Sequence, residues 1–207
     1  MSRVAHIIGN GDKAQLYKQA KGIKIACNQP PMHIENCYAA CIVDFKMSAA
    51  LTEGSVDIPY DWVLGYRPKI WYEQNRGNFK MRFGHKIKEF YTDLPPYAKL
   101  EPNETLGNMY TNFNCGHMAA HYAANKIKAD EIHMYGFDSL FDMNLRSYTD
   151  FVLQSDRGAT NNVRLADKWR PIWLGIFNEF KDTKFVLHHN HDELKISKLE
   201  NIEVFVH

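Results

Sequence analysis

The stretch Val4-Ala5-His6-Ile7-Ile8-Gly9-Asn10-Gly11-Asp12-Lys13-Ala14 decides how this chain is read. Its first five residues, mostly apolar, form a short buried strand, and two glycines follow at once. A helix-compatible segment, Asp12–Ala20, comes next. A strand that ends in a glycine turn and then a helix is how α/β folds hold a phosphate. The glycines let backbone approach the anion, and the first helical amides point at it. Gly9, Asn10 and Gly11 are therefore expected to bind a nucleotide phosphate, with Asn10 adding a side-chain amide and Asp12 capping the helix. A tight strand-to-helix turn with no ligand is the alternative.

Outward from that turn, strands and helices alternate. Ile23–Cys27 reads as a second strand, closed by Asn28-Gln29-Pro30-Pro31, because proline forbids continuation. Ala39–Val43 reads as a third, followed by a short helix over Phe45–Leu51, and Asp61–Leu64 as a fourth. Residues 67–113 break the pattern with Pro68, Gly77, Gly84, Pro95, Pro96 and Pro102 set among aromatics, and read as an irregular lid or insertion. Regularity returns at Gly116. Met118–Ile127 is an alanine-rich helix, and strand Glu131–Tyr135 runs into Gly136-Phe137-Asp138. Leu165–Phe180 is an amphipathic helix in which Pro171 marks a kink or a start. Strand Phe185–Leu187 feeds the polar run His188–Glu193, and Ile202–Val206 suits an edge. The alternation predicts one Rossmann-like α/β domain, a mostly parallel sheet with helices on both faces.

Composition narrows the function classes. The 207 residues carry 25 Lys and Arg against 24 Asp and Glu, a net charge of +1, which argues against a dedicated nucleic-acid or membrane surface. The apolar start is too short for a secretory signal, and no run approaches a membrane span. With four cysteines and no such signal, reduced thiols and a cytoplasmic location are expected. Lys69, Arg76, Lys80, Arg82, Lys86 and Lys88 interleave with Trp71, Tyr72, Phe79, Phe83 and Phe90. That pattern could track a nucleic-acid strand, but a solvated segment with apolar anchors accounts for it as well.

Ligands of open α/β sheets collect at the carboxyl ends of the strands. Gly9–Gly11, Asn28, Asp44, Asn114–Gly116 and Gly136–Asp138 should share that edge. Gly9-x-Gly11-x-x-Ala14 meets the loose dinucleotide fingerprint, but the second strand ends in Cys27-Asn28, not in the acidic residue that holds a ribose, so NAD is disfavoured. The spacing before Lys13 excludes a Walker loop.

Ile7-Ile8-Gly9-Asn10-Gly11 followed by Cys27-Asn28-Gln29 resembles the start of the bacterial sialyltransferases of the Campylobacter type and their relatives, including the motility-accessory glycosyltransferases. Asn114-Cys115-Gly116-His117-Met118-Ala119-Ala120 and Glu131–Asp138 are similar to the later pattern of that group, where Ser-Gly opens an alanine-rich helix and the next strand ends in Gly-(Ile/Phe)-Asp. The resemblance covers about a third of the chain. It implies a metal-independent transferase that takes a CMP-sugar as substrate. Gly9, Asn10 and Gly11 would lie on the phosphate, Asn28, Asn114, Cys115 and Gly116 by base or ribose, and Asp138 would position the donor. Departures are clear. Asp12-Lys13 replaces the usual Pro-Ser, Cys115 replaces a serine, and only Tyr148 could serve as the phosphate-holding tyrosine. Thr160–Arg164, where the group carries its catalytic histidine, has none.

A sugar transfer needs a base of near-neutral pKa, which histidine supplies. His188, His189 and His191 follow the Phe185–Leu187 strand and are the first choices, with His117 behind them. His189-x-His191-Asp192 and His33-x-x-x-Cys37-x-x-x-Cys41 have metal-ligand chemistry, but the prolines before His33 and the strand-like Ala39–Val43 break the second set, and no metal ligand is assigned. Two rival readings stand beside the transferase. One is a pyrophosphokinase-like enzyme using ATP and magnesium, with Asp44 and Asp138 as metal ligands. The other is a module that binds a nucleotide or nucleic acid without catalysis.

Overall fold

A computed structural model describes residues 2–74, 76–98, 113–142, 147–153 and 159–207. Eight strands form one parallel sheet: β1 (Val4–Ile8), β2 (Ile23–Cys27), β3 (Cys37–Ile42), β4 (Trp62–Leu64), β5 (Ile87–Phe90), β6 (Glu131–Tyr135), β7 (Lys184–His189) and β8 (Ile202–Val206). Their order is β5-β4-β3-β2-β1-β6-β7-β8, every neighbouring pair parallel. This is a Rossmann-like α/β fold. The chain builds outward from β1 in one direction, then returns to start again at β6 on its other side. The topological switch point therefore lies between the carboxyl ends of β1 and β6.

Central strands are buried on both sides, as parallel sheets require, mostly by apolar residues with His6 and His188 as buried polar exceptions. On one face Ala5, Ile7, Ile132, Met134, Phe185 and Leu187 pack against α4 (Cys115–Asn125) and α6 (Ala159–Glu179). Ala119, Ala120, Ala123 and Ala124 give α4 a flat surface, so it sinks against the sheet and is buried on nearly every side. From α6, Trp173 and Phe177 each bury a whole aromatic side chain, about 1.5–3 kcal/mol apiece. On the other face Ile8, Ala26, Ala40, Ile42 and Leu64 pack against α1 (Phe45–Glu53) and against Ala14 and Tyr17. Helix α1 ends on Gly54 at φ +81°, with Gly54 and Ser55 amides returning to Leu51 and Ala50 carbonyls, a left-handed termination that favours glycine.

Three expectations are corrected here. The helix expected over Asp12–Ala20 is only a five-residue 3-10 turn, Asp12–Leu16. Tyr17 leaves it in extended conformation and is buried edge-on against Tyr135, ring centroids 5.3 Å apart. Next, much of the expected irregular insertion is regular. It contains α2 (Tyr66–Gln74), a π-helical stretch Arg76–Lys80, α3 (Met81–Phe83), a 3-10 turn and then β5 in register with β4. Pro68 sits in the first turn of α2, where its missing N–H breaks no bond. Residues 99–112 lie outside the described set. The aromatics of this crossover face inward. Phe79 is fully buried, 5.3 Å from Phe83, which in turn lies 5.2 Å from Trp62. Its cations are engaged locally: Lys86 Nζ donates to the Ile58 carbonyl at 2.9 Å, Lys88 Nζ pairs with Asp61 at 3.3 Å, and Arg82 donates to the Thr52 carbonyl. Finally, α6 begins at Ala159 and not at the expected Leu165, which leaves Pro171 inside it, the interior one of its two expected places.

Alpha-carbon crowding at the switch point gives a direct test. Gly136 has φ +77°, and a Cβ there would fall 2.8 Å from the Ala14 Cβ and 2.9 Å from its amide nitrogen. Gly136→Ala should destabilise the chain by about 2–4 kcal/mol. A urea midpoint equal to that of the parent would mean that the β6 turn does not pack on Ala14.

Candidate functional site

Four segments converge on the switch point. The turn after β1 brings Gly9, Asn10 and Gly11, the end of β2 brings Asn28, and the turn after β6 brings Gly136–Asp138. Helix α4 runs back along the sheet, so its first residues stand over the same edge. Gly116 packs on the Phe137 ring, where a Cβ would lie 2.5 Å from a ring carbon, and the Cys115 thiol is in hydrogen-bond contact with Cys27. The start of α4 thus bridges the ends of β2 and β6. Asn114 caps it reciprocally: its Oδ1 accepts from the His117 amide at 2.9 Å, and its own amide donates to His117 Nδ1 at 3.1 Å. Tyr148, at the start of α5 (Tyr148–Val152), donates its amide to the Asn10 carbonyl at 2.8 Å. Of the residues expected to bind the nucleotide, Gly9, Asn10, Gly11, Asn28, Cys115, Gly116, Asp138 and Tyr148 are tied to one another by these contacts, with Asn114 at their side. Asp44 stays apart, ending β3 and pairing with Arg67 at 3.8 Å.

The glycine turn is closed on itself. Gly9 donates its amide to the Tyr135 carbonyl at 2.7 Å, and Gly11 to the Gly136 carbonyl at 3.1 Å. The amides that open the 3-10 turn meet an internal anion: Asp138 Oδ2 accepts from Lys13 at 3.4 Å, and the Asp12 amide also favours the charged carboxylate. Where the sequence pattern places a phosphate, the protein's own carboxylate sits. Burial, only partly offset by those amides, raises the Asp138 pKa to about 6.

What remains open at the edge is a set of acceptors. Asn10 Nδ2 donates to the Cys27 carbonyl at 2.5 Å, leaving its Oδ1 buried with no partner among the described residues. Asn28 is 2% exposed and held at φ +53°, and its Oδ1 is likewise unpartnered. Gln29 Oε1, Asp138 Oδ1 and Thr149 Oγ1 share that state. Buried polar atoms are normally satisfied, so several unpaired oxygens on segments that touch one another mark a place for a ligand that donates hydrogen bonds. The amides of Cys115 and Gly116, first in an eleven-residue helix, have no carbonyl of that helix to bond.

The three histidines read as one run do not act together. Alternation along β7 sends His188 to one face and His189 to the other. His188 joins a row across the sheet in which His133 Nε2 donates to Glu131 Oε1 (2.7 Å), His133 Nδ1 and His188 Nε2 share a hydrogen bond (2.8 Å), and His188 Nδ1 and His207 Nε2 share another (2.8 Å). His6 stacks on His133 at 4.9 Å and Tyr135 on His188 at 4.1 Å. Burial first, then the neighbouring imidazoles, lowers the His188 pKa to about 3. His189 and His191 lie at the carboxyl edge instead, and they meet Asp142, not the expected Asp192. Their Nδ1 atoms accept from the His191 and Glu193 amides, His191 Nε2 lies 3.2 Å from Asp142 Oδ1, and His189 Nε2 has no hydrogen-bond partner among the described residues. His117 is fully buried, its Nε2 3.2 Å from the Trp169 carbonyl. Cys37 and Cys41 lie on β3, four and eight residues beyond His33 in its loop, and all four cysteines are free.

Sequence reading missed Gln29, Thr149 and Asp142, and it missed the histidine row. Period-two alternation in β7 was the available signal for the row, and the spacing Asp138-x-x-x-Asp142 after a strand end was the signal for the acid. Comparison with protein-family models, with curated proteins and with solved structures returned no match. Among the described residues, no helix is long and apolar enough to cross a membrane.

The histidine row fixes a pH response. A charge on His188 would stand between the His133 and His207 rings, each 2.8 Å away. Because the folded pKa of His188 lies below its unfolded value near 6.5, stability is full above pH 6.5 and is lost as pH falls toward 3. His188→Phe, which keeps the stack on Tyr135, should flatten that acid limb in a series of denaturation curves from pH 7 to pH 4.5. An unchanged slope would place the sensitivity elsewhere.

Proposed function

We propose that this chain binds the nucleoside phosphate end of a nucleotide sugar, of the CMP-sugar type, at the switch point and transfers the sugar to an acceptor. The observation that carries the reading is the set of unpartnered acceptors Asn10 Oδ1, Asn28 Oδ1 and Gln29 Oε1. A nucleoside supplies what they lack: ribose hydroxyls and an exocyclic amine. The phosphate then belongs at the Cys115 and Gly116 amides, since the glycine turn already holds Asp138. The resemblance of the Gly9–Gly11, Asn28 and Gly136–Asp138 segments to the sialyltransferase group supports the same class of donor.

Asp138 is the best base in this arrangement. It has a free oxygen, and its pKa of about 6 is close to the working pH. The histidines of β7 have neither property together. A metal-bound ATP is less well served. Asp44 and Asp138 end strands three positions apart in the sheet, about 14 Å at the usual spacing, too far to share one magnesium ion.

A thermal-shift series with CMP, UDP, GDP, ADP and ATP, with and without magnesium, tests the binding. CMP without metal should stabilise the chain by about 2.7 kcal/mol at a hundred times its dissociation constant. Asn28→Gly keeps the left-handed backbone and removes the amide, so it should abolish the shift while changing the unliganded stability by less than about 1 kcal/mol. Stabilisation only by ATP with magnesium would overturn the reading in favour of a pyrophosphokinase.

Asp138→Asn separates binding from turnover. Release of CMP from a CMP-sugar should fall about 10²–10⁴-fold while the CMP shift persists. The folded pKa lies above the unfolded one, so the charged form is the destabilised one and its stabilising proton is lost as pH rises from about 4 to about 6. The variant should therefore be at least as stable as the parent at pH 7. A variant that releases CMP at the parent rate would remove Asp138 from the chemistry.

A further inference from the structure

We propose that Asp142, His189 and His191 form a binding site for one divalent transition-metal ion of the zinc class. Their ligand atoms all lie within 4.8 Å of one another. His189 Nε2 is 3.2 Å from Asp142 Oδ2, and His191 Nε2 is 3.2 Å from Asp142 Oδ1. Zinc bonds of about 2.0–2.1 Å in tetrahedral array place neighbouring ligand atoms about 3.3 Å apart, so each histidine stands at ligand spacing from one oxygen of the Asp142 carboxylate.

The buried histidine carries the argument further. His189 is 1% exposed, yet its Nε2 has no hydrogen-bond partner among the described residues, although a carboxylate oxygen stands 3.2 Å away. The two groups approach without the ring N–H pointing at the oxygen. A shared third point satisfies both, which a direct hydrogen bond does not. The set is also held in place. Phe141 stacks on His189 at 4.1 Å with rings 11° apart and meets His191 edge-on at 5.7 Å. The Asp142 amide donates to the Asp138 carbonyl at 2.7 Å, and Arg170 donates to the carbonyls of Ser139 (2.8 Å) and Asp142 (3.4 Å). Anchored ligands are what a metal site needs.

Ligation asks for one rearrangement. Each imidazole must give its Nε2 lone pair to the ion and carry its proton on Nδ1. The contacts given up are the His191 amide on His189 Nδ1, at 3.4 Å, and the Glu193 amide on His191 Nδ1, at 3.2 Å, both longer than an ordinary bond of this kind. Two nitrogens and one carboxylate select zinc, cobalt or iron over magnesium and calcium, which take oxygen shells. Three protein ligands leave a fourth position open, as in catalytic zinc sites. This ion is distinct from a magnesium on the donor phosphates, and the inference does not rest on the nucleotide reading.

The test uses the full chain stripped with a chelator and titrated with Co²⁺, then with Zn²⁺. One Co²⁺ per chain with the visible absorption of a tetrahedral site, displaced by Zn²⁺ and untouched by Mg²⁺, is the expected result. His191→Ala, at the partly exposed ligand, and the near-isosteric Asp142→Asn should each weaken Co²⁺ binding at least about tenfold. His207→Ala, in the separate histidine row, should leave it unchanged. Absence of stoichiometric Co²⁺ binding, or binding that survives in the Asp142→Asn and His191→Ala variants, would overturn the assignment. So would loss of binding in His207→Ala, which would put the metal on the histidine row.

Discussion

Close backbone approach between the turns after β1 and β6 is the constraint on which the rest of this structure depends. A Cβ on Gly9 or Gly11 would fall 2.7 Å from the Gly136 carbonyl oxygen, and one on Gly136 would strike Ala14. Three glycines let two strand ends meet, and the amide-to-carbonyl bonds between them continue the sheet beyond its last ladder pair. That contact draws Asp138 under the first 3-10 turn and lowers α4 onto Phe137. The crevice is therefore built from the sheet itself and not from a mobile loop, which is the rigid support a binding constellation needs.

Strands were legible in the sequence because a parallel sheet buries both faces, and short, mostly apolar runs such as Val4–Ile8 and Ile23–Cys27 have few other uses. Glu131–Tyr135 and Ile202–Val206 are found with the expected bounds. Local pattern failed where tertiary contacts override it. Asp12–Ala20 has helix-forming residues, but Tyr17 is worth more packed on Tyr135 than continued in a helix. In Tyr66–Phe90, prolines and glycines suggested irregularity. They fall at the first turn of a helix and in the turn before β5, where they break nothing.

The site was legible as a place and not as a chemistry. Convergence at the carboxyl edge follows from parallel topology alone, so Asn28, Gly116 and Asp138 could be set side by side from sequence. What sequence could not give is which group fills which role. An internal carboxylate and an external phosphate satisfy the same amides, and only the coordinates put Asp138 there. Likewise His188, His189 and His191 look like one cluster when written in a line. Strand alternation divides them into a neutral hydrogen-bonded row on one face and a pair against Asp142 at the edge.

Asp138 and the histidine row pull stability in opposite directions with pH, and this bears on why both exist. Burial holds Asp138 near pH 6 in its titration, a penalty for the charged form that a purely structural cap would not need, since an asparagine could accept the same amides. Burial holds His188 neutral, and the larger displacement of its pKa makes acid the more damaging excursion. Above about pH 6.5 the row is intact and Asp138 is charged, with one oxygen on the turn amides and the other unpaired. A carboxylate kept ionised at a cost, with a lone pair left free, is the arrangement that the proposed base requires.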